Sequence, residues 1–98
     1  MTSKRSRRAA LFEPGLVVAT PGALTALAAA GQNAVHFLAR HLGGDWGDVD
    51  AADGQVNDHA LTHHGRLLSV YAISTGERVW IITEWDRSTA TLLLPDEY

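Results

Sequence analysis

In the last third of the chain, apolar runs alternate with short polar segments, and this pattern constrains the fold more than any other feature. Three runs rich in β-branched and aromatic residues are separated by the short polar segments STGE and DRS: RLLSVYAI, RVWIITEW and TATLLLP. Segments of that length join antiparallel neighbours, so the pattern predicts a three-stranded meander that ends before Pro95. In the second run Val79 and Ile81 share one face, and Trp80 and Ile82 share the other. Both faces are apolar, so we expect helices to cover one face, while the other could form a homodimer.

The region before these strands predicts two helices and a shorter third one. TPGALTALAAAG offers Thr20 as an N-cap and Gly31 as a left-handed stop. AVHFLARHL follows Asn33, a second N-cap, and is closed by two glycines. DGQVNDHALTHHG predicts the third helix, from about Asp53 to His63. The run EPGLVVA, which contains a Pro-Gly turn signal, is a candidate for a short first strand.

Helical spacing also predicts which faces of the first two helices are buried. The residues expected on these faces are Leu24, Leu27 and Ala28 in the first helix and Val35, Leu38 and Leu42 in the second, with Phe37 and His41 beside them. His36, Arg40 and His41 are expected on the exposed side of the second helix. The predicted fold is therefore α+β, with two or three N-terminal helices packed on a three-stranded antiparallel meander, and a four-stranded antiparallel meander as the alternative.

Charge is distributed unevenly along the 98 residues, a length that allows one domain at most. Half of the eight basic residues lie at the start: Lys4, Arg5, Arg7 and Arg8. The rest of the chain keeps four basic residues against 11 acidic ones, a net charge of −7. We therefore predict a basic flexible tail over residues 1–12 and a single α+β domain over residues 13–98. The tail could contact the phosphate backbone of a nucleic acid, or simply solubilise the terminus.

Several protein classes are disfavoured by composition. No apolar run approaches the roughly 18 residues that a membrane-spanning helix needs. The basic start has no apolar core behind it, so we expect no secretory signal. The sequence contains no cysteine, which excludes disulfides and thiolate chemistry and fits a cytoplasmic protein.

The segment HLGGDWGDVDAAD holds four carboxylates and a tryptophan within thirteen residues. Read as a calcium loop from Asp48, it fails because Ala52 and His59 stand where carboxylates are required. Turn formation explains the carboxylates more simply, and Asp53 is positioned to cap the third helix. Trp46 is expected to anchor the loop on the core, with a ligand-facing ring as the alternative.

Three histidines cluster in the third predicted helix and just after it. His59 and His63 are four residues apart and share a helix face, which is a two-ligand metal geometry. Nothing in the pattern supplies a third ligand. We therefore predict surface histidines, no metal site and no cofactor.

Catalytic motifs are sparse. The chain has no P-loop, no G-x-S-x-G and no G-x-G-x-x-G pattern. ALAAAGQNAVHFLARH loosely has helix-turn-helix spacing, but it offers few basic side chains on an acidic body. One catalytic alternative is a metal-free ribonuclease with His41 as acid, Glu84 as base and Arg87 as phosphate clamp. The simpler interpretation is a Glu84–Arg87 ion pair at a strand connection.

Two surfaces are predicted as candidate binding sites. One is the acidic loop, represented by Asp45, Trp46 and Asp48. The other is the connection that holds Arg87 and Ser88 between two apolar strands, where a recognition site would be rigidly supported.

Five segments together resemble a family of short bacterial proteins carried by plasmids and integrative elements: VVATPGAL, LARHLGGDWGDVD, GRLLSVY, VWIITE and DRSTATLLLPDEY. The resemblance spans Leu16 to Tyr98. Members are called plasmid-related, and some are labelled as the M subunit of a type I restriction enzyme. A methyltransferase needs a glycine-rich nucleotide loop and an N-P-P-[YF] motif, and the sequence has neither. The resemblance therefore implies a mobile-element setting rather than an activity.

The function expected from these observations is a non-enzymatic interaction protein of a mobile element. Its partner would be a host defence protein or another protein of the same element. The alternatives are a small ribonuclease or toxin domain, and a DNA-associated accessory protein that uses the basic tail.

Overall fold

The computed structural model describes residues 9–98, so the predicted nucleic-acid contacts of the basic tail lie outside the described residues: Lys4, Arg5, Arg7 and Arg8. The elements follow the order β1 (Leu16–Ala19), α1 (Pro21–Ala30), α2 (Ala34–Leu42), α3 (Ala51–His63), β2 (Leu67–Ala72), β3 (Arg78–Thr83), β4 (Thr89–Leu93) and a 3₁₀ turn (Pro95–Glu97). The predicted α+β class and the three helices are confirmed. None of the helices within residues 9–98 is long and apolar enough to cross a membrane.

The sheet has the strand order β1-β4-β3-β2. β2, β3 and β4 form the predicted antiparallel meander. The prediction of a wholly antiparallel four-stranded sheet is wrong, because β1 lies parallel to β4. The Leu16 N–H donates to the Ser88 carbonyl at 2.9 Å, and the Thr20 N–H donates to the Leu92 carbonyl at 3.0 Å. Gly15, at φ 65°, makes this pairing possible because a Cβ there would collide with the Arg87 and Ser88 carbonyls.

Local capping chemistry sets the helix limits. The Thr20 hydroxyl accepts from the Ala23 N–H at 3.1 Å, and Gly31 ends α1 in the left-handed conformation. α3 begins earlier than predicted, because Asp50 rather than Asp53 is the N-cap. The Asp50 carboxylate accepts from the Asp53 N–H at 2.8 Å, a bond that satisfies one of the free N–H groups of the first turn.

The core lies between the helices and one face of the sheet. Its main cluster consists of Ala23, Ala26, Leu27, Phe37, Tyr71, Ile73, Val79, Ile81, Ala90 and Leu92. The predicted burial of Leu24, Ala28 and Val35 is wrong: Leu24 and Val35 are 53% and 66% exposed, and Ala28 is also exposed. In α2 the buried pair is instead Phe37 and His41, and the Phe37 ring packs 5.3 Å from that of Tyr71. Four-residue spacing places this pair on one helix face, directly over β2.

The segment before Glu13 is in contact with the domain, although the predicted boundary placed it in the tail. The Leu11 N–H donates to the Leu42 carbonyl at 2.8 Å. The Phe12 ring meets the His41 ring edge-on at 5.4 Å, and the Arg87 guanidinium lies 5.6 Å from the Phe12 ring centre. Phe12 therefore covers the end of the core that lies near His41 and Arg87.

Candidate protein-binding surface

His41 lies in the core, so the prediction that it is exposed is wrong. It is 0% exposed, with Nδ1 2.5 Å from the Ser69 hydroxyl and Nε2 2.8 Å from the Thr83 hydroxyl. Desolvation, aided by the positive charge of Arg87, lowers the pKa of His41 to about 4. The imidazole is therefore neutral near pH 7, when one ring nitrogen donates and the other accepts. This arrangement cross-links α2 to β2 and β3 through polar groups that burial would otherwise leave unpaired.

Glu84 and Arg87 do not form the predicted ion pair. Glu84 follows Thr83 along the chain, and Thr83 faces His41, so alternation directs Glu84 to the opposite side of the sheet. There its carboxylate lies 3.6 Å from the Arg66 guanidinium. The candidate ribonuclease residues are therefore separated: His41 is enclosed under the helices, whereas Glu84 lies on the other face.

The Arg87 guanidinium is occupied by backbone carbonyls. It donates to the carbonyl of Ala60 in the last turn of α3 at 2.8 Å, to that of Gly65 just after α3 at 2.6 Å, and to that of Glu84 at 3.1 Å. Arg87 itself has a φ of 61°, an uncommon conformation for a residue with a side chain. These bonds tie α3 to the β3–β4 connection, and they use the donors that a phosphate clamp would need.

The acidic loop closes one edge of the sheet. The Val70 N–H donates to the Trp46 carbonyl at 3.0 Å, and the Asp48 N–H donates to the Val70 carbonyl at 2.6 Å. Gly47 lies between these residues at φ 74°, so close to Val70 and Tyr71 that a Cβ has no room. The loop thus acts as a short parallel strand along β2.

Each predicted binding residue of this loop has a partner within the domain. The Asp45 carboxylate pairs with the Arg40 guanidinium at 2.7 Å, and Asp48 pairs with Arg78 at 3.4 Å. Trp46 is 7% exposed, as expected for an anchor, and its Nε1 donates to the Asp58 carboxylate at 3.0 Å. The aromatic and carboxylate groups of the loop therefore contribute first to holding the loop on the sheet.

Ser88, the other predicted binding residue, lies exposed in the β3–β4 connection. Its N–H donates to the Asp86 carboxylate at 3.0 Å, and its carbonyl accepts the N–H of Leu16. Hydrogen bonds from the Ser88 side chain and backbone lower the pKa of Asp86. The connection is thus a small ordered turn that starts the β1–β4 pairing.

The α3 histidines stack on one another. The ring centres of His59 and His63 are 3.8 Å apart and nearly parallel, and the His63 Nδ1 lies 3.0 Å from the His59 carbonyl. Among residues 9–98, no group of three or more histidine, aspartate or glutamate side chains could hold a metal ion.

The sheet face opposite the helices carries mostly apolar side chains and is here called the open face. Strand register places these side chains on it: Leu16, Val18, Leu68, Val70, Trp80, Ile82, Thr91 and Leu93. Leu16 is 64% exposed and Val18 is 39% exposed, whereas Ile82 and Leu93 are buried, at 5% and 7%. The other four side chains are half-buried. The Tyr98 ring packs 5.6 Å from that of Trp80, and its hydroxyl accepts from Arg66 at 2.8 Å. The Tyr98 side chain therefore lies across part of this face.

Charged pairs border the open face. The Arg66–Glu84 pair lies near its lower end, where β2 begins and β3 ends, and the Arg78–Asp48 pair lies near the opposite end. An apolar centre with an aromatic residue and a polar rim is the usual composition of a protein–protein interface. The sequence had predicted that this face needs a cover.

Comparisons with known proteins add no relative: no family model, curated protein or solved structure matches the chain.

Asn57 is the structural residue that the sequence pattern did not reveal. It is 4% exposed in α3 and bonds the backbone of Leu68 on the outer side of β2. The sequence offered one indication of this role: Asn57 is three positions before Ala60, and both residues are buried on the same side of α3. Such spacing places an amide on the core side of a helix, where it needs partners.

Proposed function

We propose that this protein acts by binding another protein on the open face of its sheet, without catalytic chemistry of its own. The observation that supports this proposal is the group of apolar side chains around Trp80 and Thr91, which belong to neither of the two core clusters that the helices form with the sheet. Tryptophan and tyrosine are the residues that most often anchor interfaces, because they bury a large area at low entropic cost. Trp80 and Tyr98 supply both.

The setting we propose is the cytoplasm of a bacterium that carries the encoding plasmid or integrative element. The resemblance to short mobile-element proteins supports this setting. A host defence protein or a second protein of the element would then be the natural partner. The net charge of −7 outside the basic start disfavours a bare nucleic acid as the ligand of the open face.

Affinity capture with matched lysine variants tests the proposal. Thr91→Lys places a charge in the middle of the open face, whereas Val56→Lys places one on exposed α3. We expect Thr91→Lys to weaken capture of the partner by about tenfold or more, since an unpaired charge in an interface centre is costly. Val56→Lys should capture as the wild type does. Equal capture by the two variants would contradict the proposal.

Ribonuclease activity is the alternative function, and an RNA cleavage assay tests it. Its supporting observation is that the Phe12 ring contacts both residues: it meets the His41 ring edge-on at 5.4 Å and lies 5.6 Å from the Arg87 guanidinium. Incubation with total RNA in a chelating buffer, repeated with His41→Gln and Arg87→Lys, tests it. We expect no cleavage by the wild type. Cleavage that disappears in both variants would replace the binding proposal.

Binding of nucleic acid by the basic tail is a third proposal and can be tested separately. Lys4, Arg5, Arg7 and Arg8 would contact phosphates, so their replacement by serine should remove any salt-sensitive DNA binding. Capture through the open face should not change in that variant.

A further inference from the structure

The two edges of the sheet differ in how their backbone groups are satisfied. On the β2 edge, Asn57 bonds both backbone groups of Leu68, and the acidic loop bonds both backbone groups of Val70. That edge is closed to further pairing. The β1 edge has no comparable cover among residues 9–98.

The hydrogen bonds of β1 show which of its groups point outward. The N–H groups of Leu16 and Thr20 donate to β4, so those of Val17 and Ala19 point away from the sheet. Within residues 9–98, no side chain or backbone group outside the strand bonds them. Val17 is 41% exposed, so this edge is accessible to another strand.

β1 also lacks the features by which proteins usually protect an edge. Its sequence, LVVA, contains no proline, no lysine and no other charged residue. Exposed edges without such protection pair readily with another strand. An extended backbone is therefore the ligand that this edge fits.

We infer that the strand which pairs with β1 is β1 of a second copy, in an antiparallel arrangement with its two-fold axis at Val18. In this register Val17 of one copy faces Ala19 of the other, and the two exchange both N–H···O bonds. The symmetry then satisfies all the outward groups of both strands. A two-fold contact of this kind is closed, so it forms a dimer and not a fibre.

The length and composition of β1 favour a second copy over an unrelated peptide. Gly15, with a φ of 65°, and Pro21, at the start of α1, bound the strand, so they limit pairing to a short segment, and an identical strand has the same limits. β1 has no polar side chain that could recognise a particular foreign sequence. The dimer also extends the open face, because Val18 of each copy would lie beside that of the other. This inference does not depend on the identity of any partner of the open face.

A dimer joined through four-residue strands should be weak. Its contact is smaller than the roughly 1,600 Å² of a standard interface, so its population should depend on concentration. Sedimentation velocity from micromolar to millimolar protein should show the wild type shifting from monomer to dimer. A monomer throughout that range would contradict the inference.

A proline substitution distinguishes the edge from the open face. Val17→Pro removes an N–H that points outward and leaves the bonds to β4 intact, so the fold should persist. Val17→Thr keeps the N–H and is the matched control. We expect Val17→Pro to abolish dimer formation and Val17→Thr to retain it. A dimer that survives Val17→Pro would assign the contact to another surface and overturn the inference.

A single introduced cysteine tests the register. The chain has no cysteine, so the thiol of Val18→Cys could pair only with its own copy. At the two-fold axis the two Cα atoms would be about 4.5 Å apart, within the range of a disulfide. Mild oxidation should give a covalent dimer of Val18→Cys and none of Thr91→Cys on the neighbouring strand. Equal cross-linking of both variants, or of Val18→Cys combined with Val17→Pro, would contradict the proposed register. Loss of partner capture in the Thr91→Lys variant with this cross-link retained would separate the two proposals.

Discussion

Asn57 bonds both backbone groups of Leu68: its amide donates to the Leu68 carbonyl at 2.7 Å, and its side-chain oxygen accepts the Leu68 N–H at 3.1 Å. One side chain of α3 thus takes the place of a neighbouring strand at this position of β2. Together with the Trp46 and Asp48 backbones, which bond Val70, it covers the edge of β2 that faces away from β3.

Asn57→Leu should destabilise the fold because it leaves both Leu68 groups without partners. A buried unpaired backbone group costs about 1–3 kcal/mol, so we expect a loss of about 2 kcal/mol or more in the free energy of unfolding. Urea midpoints would measure it. Gln55→Leu, an exposed substitution on the same helix, should change stability by less than about 0.5 kcal/mol. Equal midpoints for the two variants would show that Asn57 is dispensable.

His41 should make the fold sensitive to acid. Burial lowers its pKa to about 4, whereas the unfolded chain titrates at the ordinary value of 6.5. Between these values the unfolded state binds more protons than the folded state, so stability is complete above pH 6.5 and falls as the pH drops toward 4. The shift corresponds to roughly 3 kcal/mol at the acid end.

Urea midpoints at about pH 7.5 and about pH 4.5 would test this dependence. His41→Gln can keep one bond as donor and one as acceptor without titrating, so its stability should vary less with pH. His36→Gln, at an exposed position of the same helix, should retain the wild-type pH dependence. If His41→Gln lost stability with acid as steeply as the wild type, another group would be responsible.

Arg87→Lys should be destabilising although it conserves the charge. The planar guanidinium reaches carbonyls of α3 and of its own turn at once, which a single ammonium cannot do. We expect a loss of about 1–3 kcal/mol in the free energy of unfolding. Arg78→Lys, in an exposed ion pair, should cost about 0–1 kcal/mol. Similar costs for both changes would mean that Arg87 acts only through its charge.

Trp46 should contribute through its ring more than through its N–H. Trp46→Ala removes a buried aromatic side chain that packs edge-on to His41 at 5.7 Å, so a loss of about 3–5 kcal/mol is expected. Trp46→Phe keeps most of the ring and loses the bond to Asp58, so its cost should be smaller. Chemical denaturation of both variants would measure the difference. An unchanged midpoint for Trp46→Ala would instead favour the alternative that the Trp46 ring faces a ligand.

Local signals explain what the sequence could predict. Thr20, Asn33 and Gly31 cap helices by bonding backbone groups within a few residues, so the sequence alone predicted these caps. The meander was equally readable, because short polar turns join antiparallel neighbours.

The remaining features depend on distant parts of the chain. A four-residue apolar run such as β1 carries no information about its partner, so its parallel pairing with β4 could not be derived. His41 looked exposed because its partners, Ser69 and Thr83, are 28 and 42 residues away. The sequence predicted that a second apolar face of the sheet needs a cover. It did not predict that the N–H groups of Val17 and Ala19 point outward at the β1 edge.

We propose above all that the open face, and not an exposed helix, meets another protein. A photoreactive residue placed at Thr91 in living cells tests it most directly, with the same residue at exposed Val56 of α3 as the matched control. We predict a discrete cross-linked product from position 91, containing a protein other than a second copy of this chain, and none from position 56. Products of equal yield from both positions, or none from position 91, would contradict the account.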